Sequence, residues 1–239
     1  MPINISGSSS YAPSASTRDS VSTGFERVSS GQRINNASDD AAGVAIVSRI
    51  STEIEGLNVA SRNAADAISL TQVADGALSS VSDNIARIRE LALSAANGTL
   101  NDQDRQALAA EAEQLTEENS QILEGSSFNG ASLFDNQNER TFQVGPNAED
   151  TLTTPANNLA SALEALGLEE IDISTQEGAS NALSVLDEAE QAVSSQASKF
   201  GALSNRLESS IDNIERTRIN ETEARSRIED ADLAEELAN

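Results

Sequence analysis

The chain has 239 residues, 38% hydrophobic and only 3% aromatic, and its 39 Asp and Glu against 15 Lys and Arg leave a formal charge of -24. Cys and His are both absent, which excludes thiolate nucleophiles, disulfides, Cys/His zinc sites and imidazole acid–base chemistry. The acid excess repels nucleic acid and anionic membranes, and without Trp or many aromatic anchors no small-molecule pocket and no cofactor are expected.

No stretch approaches the roughly 18 apolar residues of a membrane-spanning helix, so membrane insertion is not expected. The opening Met1-Pro2-Ile3-Asn4-Ile5-Ser6-Gly7 lacks the basic and apolar regions of a cleaved secretory signal. Composition therefore points to a cytoplasmic protein, or to one exported by a route that reads something else.

Residues 1–42 form a Ser/Thr-rich arm and linker that cannot offset its ordering entropy alone. Only Val21, Phe25 and Val28 make a helical stripe, starting near Thr17-Arg18-Asp19. Ser38 or Asp39 then caps a helix over Val44–Asn97. Its apolar residues repeat at 3-4-3 spacing, first Val47, Ile50, Ile54 and Leu57, then Leu78, Val81, Ile85 and Ile88, one stripe of a helix. Between the quartets the stripe thins to Ala64, Ile68 and Val73. At 1.5 Å per residue this helix is roughly 80 Å long, a rod rather than an element of a globule. Asn97-Gly98 predicts a left-handed stop.

A second helix restarts at Asn101 or Asp102 and runs to about Leu123, with Leu108, Leu115 and Ile122 at sevenfold spacing. Alternation around Gly145-Pro146-Asn147-Ala148-Glu149-Asp150 predicts a β-hairpin near 139–153. A short helix over Leu159–Leu166 follows, then a loop through Ile171-Asp172-Ile173. The last long helix begins near Gly178 and reaches at least Thr217. Val193, Ala197, Phe200, Ser204, Leu207, Ile211 and Ile214 keep a heptad rhythm that Leu203 widens, and such a seam needs partner helices. The expected fold is mainly α: an elongated antiparallel rod of three helices, two very long, with a small β-hairpin subregion. Residues 43–222 form that core and 223–239 a C-terminal linker. Three helices of unequal length leave part of the long pair uncovered, and other copies of the chain are expected to cover it.

Candidate chemistry is sparse. Asp102, Asp104, Gln106 and Glu113 fall on a calcium-loop template, but its Gly position holds Ala107 and an acid-decorated helix start accounts for the same residues. Asp39-Asp40 reads as a cap, and Glu117-Glu118 and Glu169-Glu170 as solvated faces. With no phosphate loop, G-x-S-x-G or nucleophile–base pair, no catalytic residue and no metal ligand is assigned, and no enzyme is expected.

One run of residues names a family. Phe25-Glu26-Arg27-Val28-Ser29-Ser30-Gly31-Gln32-Arg33-Ile34-Asn35-Asn36-Ala37-Ser38-Asp39-Asp40-Ala41-Ala42-Gly43 resembles bacterial flagellin. So do Gly56-Leu57-Asn58-Val59-Ala60-Ser61-Arg62-Asn63-Ala64, Arg87-Ile88-Arg89-Glu90-Leu91, Phe128-Asn129-Gly130, Phe142-Gln143-Val144-Gly145 and Ala224-Arg225-Ser226-Arg227-Ile228-Glu229-Asp230-Ala231-Asp232. The resemblance implies a long helical core polymerised with copies of itself into the extracellular flagellar filament for motility. It also implies export in unfolded form through the flagellar type III apparatus. Arg87, Leu91 and Glu111 match the positions through which flagellins of this pattern engage a Toll-like innate immune receptor, with Arg89 and Glu90 beside them in one exposed patch. Three departures from the family follow: no central outer domains, an arm poor in leucine heptads, and an end at Asn239 without the C-terminal inner-tube helix. A non-polymerising secreted flagellin-like binding module, a junction protein or immune modulator, is the alternative these departures raise.

Overall fold

The computed structural model describes residues 15–134, 139–154 and 157–238. The first fourteen residues of the Ser-rich arm and the terminal Asn239 lie outside them. Among the described residues six helices and two small hairpins follow in chain order: α1 (Ala15–Ser30), α2 (Ala41–Ala95), α3 (Asp102–Gly125), β1 (Ser127–Phe128), β2 (Ala131–Ser132), β3 (Thr141–Gln143), β4 (Thr151–Thr153), α4 (Leu159–Ala165), α5 (Gln176–Glu229) and α6 (Leu233–Ala238), with a 3-10 turn at Leu168–Glu170. The fold is thus mainly α, with two helices of 55 and 54 residues. The chain divides into two compact units, one of residues 57–215 and one of residues 1–56 with 216–239.

In the 57–215 unit α2 and α5 run antiparallel. Leu57 and Ala60 pack on Ile214, Ala64 and Ala67 on Leu203 and Leu207, and the later turns of α2 share a core with Leu186 and Val193. Leu78, Val81, Ile85 and Ile88 are all buried, as their spacing predicts. Between the quartets the buried line runs through Ala60, Ala64, Ala67, Leu70 and Ala74, whereas Val73 is 44% exposed. Side chains this small let the α5 backbone come close, so the seam follows alanine rather than the larger residues. On α5 the buried row takes Gln196 and Leu203 in place of Ala197 and Ser204.

The predicted hairpin is present: β3 and β4 pair Thr141 with Thr153, Phe142 with Leu152 and Gln143 with Thr151. Phe142 and Leu152 lie on the Ala64–Leu207 cluster, and Asn63 Nδ2 donates to the Gln143 carbonyl at 3.1 Å. A second hairpin, β1–β2, turns through Asn129 and Gly130 at φ 51° and 76°, the left-handed pair that a two-residue turn demands.

In the other unit the segment after α1 pairs with the end of α5. Arg33 N donates to the Glu229 carbonyl at 2.6 Å, and Ala231 N to the Gly31 carbonyl at 3.0 Å. Asp40 caps α2, accepting from Ala42 N at 3.1 Å and Gly43 N at 2.9 Å. Asp40 thus bears out the capping role read for Asp39-Asp40, whereas Ser38 or Asp39 gives way because Asp39 is engaged upstream by Asn35 N and Asn36 N at 3.0 and 2.9 Å. The left-handed stop expected at Gly98 is also replaced, since Gly98 is not among the positive-φ residues. Arg105 of α3 closes that end of α2 instead. Its Nε donates to the Ala95 carbonyl at 3.0 Å and its Nη2 to the Asn97 carbonyl at 3.2 Å.

Candidate functional site

The sequence Arg87-Ile88-Arg89 places two guanidinium groups 200° apart around α2. Ile85, Ile88 and Ala92 fill the angle between them, with no exposed surface. Each arginine therefore lies along one edge of the buried stripe, and each meets a different neighbouring helix.

On one edge Arg87 bridges to α3. Its Nη2 and Nε donate to Glu111 Oε1 at 2.8 and 3.0 Å, and its Nη1 donates to Glu90 Oε2 at 2.8 Å. The three side chains stay 45–69% exposed, so the pair marks a surface rather than a core. The hydrogen bond to Glu111, then that to Glu90, holds the Arg87 guanidinium above its ordinary range, and it carries its charge at every working pH. On the other edge Arg89 pairs with Asp187 and with Glu190, the latter at 3.2 Å, both on α5.

Three of the residues singled out in the sequence are brought together and two are not. Arg87, Glu90 and Glu111 form one charged, solvent-facing cluster on α2 and α3. Leu91 lies one turn on but is only 3% exposed and belongs to the core, so it supports the cluster from beneath instead of standing in it. Arg89 leaves the cluster for α5 because two residues of helix rotate it to the opposite edge.

Beneath this surface is a polar contact that the sequence does not announce. Asn119 of α3 is 1% exposed, and its Oδ1 accepts from Asn84 Nδ2 of α2 at 3.0 Å. A lone Asn in a helix reads as solvated, and only a partner on another helix makes it an interior residue. Asp102, Asp104, Gln106 and Glu113 stand on α3, which begins at Asp102 with Asn101 as its cap. Among the described residues no group of three or more His, Cys, Asp or Glu is placed to hold a metal ion, and no helix is long and apolar enough to cross a membrane. The arrangement offers exposed charge, buried helical seams and small apolar faces, which are the means of protein–protein contact.

Comparison with known proteins covers nearly the whole chain. Residues 3–139 match the bacterial flagellin N-terminal helical region and residues 183–239 the bacterial flagellin C-terminal helical region. A flagellin of Halalkalibacterium halodurans is 40% identical over 214 residues, spanning 89% of this chain and 79% of that protein. A flagellin of Bacillus subtilis is 37% identical, spanning 90% of this chain and 81% of that protein. The crystal structure of Bacillus cereus flagellin superposes with a TM-score of 0.58 at 31% identity, covering 64% of this chain and 88% of that one.

Proposed function

The chain belongs to the bacterial flagellin family, and on that premise we propose how it assembles, how it leaves the cell and what else it meets. It is a structural subunit of the flagellar filament, a self-associating protein of the cell exterior. Its relatives are structural proteins, and the proposed role involves no catalytic step. Assembly proceeds by lateral and axial packing of helices, in which apolar residues supply affinity and acidic faces tune it.

The observation that carries this reading is apolar surface left open on helices that have no use for it alone. Val21 and Phe25 of α1 are 66% and 74% exposed, and Ile219 and Leu233 are 49% and 45% exposed. Residues 1–42 are therefore assigned as an assembly arm and 43–222 as the helical core. The excess of like charge makes assembly salt-dependent, favoured where the Debye length is roughly 10 Å or less. Adding purified protein to short sheared filaments, with length scored by electron microscopy, tests it. Elongation that increases from low to moderate salt is expected; chains that never extend the seeds overturn the reading.

Export of the unfolded chain through the flagellar type III apparatus fits a sequence without Cys. Retention of the protein in cells whose export gate is deleted is the expected result.

Recognition by a Toll-like innate immune receptor is assigned to Arg87 and Glu111, with Leu91 holding α2 in place behind them. The half-exposed pair, with two Arg87 nitrogens donating to one Glu111 oxygen, is the support for it. Arg87→Ala with Glu111→Ala is expected to weaken receptor signalling with helicity unchanged. Undiminished signalling removes the assignment.

A further inference from the structure

Where α4 and the 3-10 turn lie over α3, they leave a cavity of about 410 Å³. Leu123 and Leu163 are buried among its walls, and three carboxylates, Glu124, Glu164 and Glu169, stand at its surface. Glu169 is partly engaged, accepting from Ser120 Oγ at 2.7 Å, while Glu124 and Glu164 make no ion pair with any described residue. Asn119 also lines the cavity, and its Nδ2 has no acceptor among the described residues. The cleft is apolar below and anionic above.

The cations of the chain complement it. All but Lys199 are arginine. Those on the Arg87–Glu111 and Arg89–Glu190 edges are engaged, but Arg49, Arg62, Arg206 and Arg216 are exposed and make no hydrogen bond or ion pair with any described residue. Arg62 on α2 and Arg206 on α5 belong to the same compact unit as the cleft. An arginine lays its methylenes on apolar surface while its head stays polar, and its guanidinium fork pairs with carboxylates in two-point fashion. For copies that each carry -24, contact is favoured where scarce cations meet carboxylates.

We propose that the Glu124–Glu164–Glu169 cleft of one copy receives the side chain of Arg62 or Arg206 from a second copy, a specific contact between subunits. The proposal rests on the filament-subunit reading above and names one contact within it.

The test uses the full chain and sheared filaments of it as seeds, at about 0.10–0.15 M salt, where the Debye length is roughly 8–10 Å. Glu124→Gln, Glu164→Gln and Glu169→Gln together are expected to slow elongation at least tenfold, with monomer helicity and melting unchanged. Because the chain has no cysteine of its own, single cysteines report proximity cleanly. Chains with Ser161→Cys mixed with chains bearing Arg62→Cys or Arg206→Cys are expected to form a disulfide-linked heterodimer on oxidation of the filament and none as monomers. Elongation by the triple variant at the unaltered rate, or filaments in which neither pair cross-links, overturns the proposal. Failure of the unsubstituted chain to extend seeds is a different result, and it overturns the filament reading itself.

Discussion

Arg105 reaches back ten residues along the chain to donate to the carbonyl of Ala95 at 3.0 Å, with its own side chain 9% exposed. The last residue of α2 thereby finds its partner on α3, in place of the water or glycine turn that ordinarily closes a helix. The guanidinium charge also faces the negative end of α2. Arg105→Ala leaves the Ala95 and Asn97 carbonyls open and is expected to cost about 2–3 kcal/mol. Arg105→Lys, which keeps the charge but not the fork, recovers only part of this in urea unfolding.

Asn84 and Asn119 make a second prediction, again across α2 and α3. Asn119 is interior and holds a single side-chain partner. Asn84→Ala removes the partner of Asn119 Oδ1 in the core and is expected to destabilise by about 1–3 kcal/mol, more than an exposed Asn→Ala on either helix. Equal losses at both places would mean that the buried contact contributes nothing.

Two glycines are expected to respond to alanine with opposite sign. At Gly178 an added Cβ overlaps the carbonyl oxygen of Asp172 and stands 2.9 Å from Thr175 Oγ1, which caps this turn of α5, so Gly178→Ala costs about 1–3 kcal/mol. At Gly76, in the interior of α2, nothing lies within 4 Å. Gly76→Ala is there expected to gain about 0.5–1 kcal/mol from helix propensity. Melting of the two variants beside the parent chain checks both directions at once.

Acid stability carries a signature of two carboxylates. Hydrogen bonds from Ser174, side chain first and then backbone, hold Asp172 below its ordinary value, and backbone hydrogen bonds from Asn36 and Asn35 do the same for Asp39. A carboxyl depressed by folding contributes stability above its unfolded value, near 3.9, and loses it as pH falls through the lower folded value. Asp172→Asn is therefore expected to lower the melting temperature at pH 7, with the deficit shrinking below about pH 4. A deficit that stays constant down to pH 2 contradicts the assignment.

Much of the fold is legible in the sequence because its large apolar residues repeat with the helical period, as Leu78, Val81, Ile85 and Ile88 do. The β3–β4 hairpin is legible too, from alternation about a turn cluster. What escapes is set by tertiary partners. The sevenfold row Leu108, Leu115, Ile122 of α3 is only half-buried, while Ala112, Thr116, Asn119 and Leu123 face inward. Small or polar residues carry no inward signal until another helix supplies the complementary surface. The β1–β2 hairpin has strands of two residues, too short for alternation to register, although Asn129-Gly130 is itself a turn signal. For the charged cluster, Arg87 and Glu111 emerge together, but the burial of Leu91 follows from its position three residues beyond Ile88, on the core side of α2. The acidic cleft has no signature in spacing at all, because α4 must fold over α3 to create it.

The opposed arginines at 87 and 89 have a consequence for how the gene coding for this chain can change in length. Inserting one residue between Ile85 and Leu91 turns everything after it by 100°, handing the α5-facing arginine to solvent and an apolar side chain to the wrong flank. Seven residues leave only about 20° of drift, so growth or loss in α2 and α5 is tolerated in sevens, matched on both helices. Single-residue indels belong instead in the hairpin turn around residues 145–150, where no helical register is at stake.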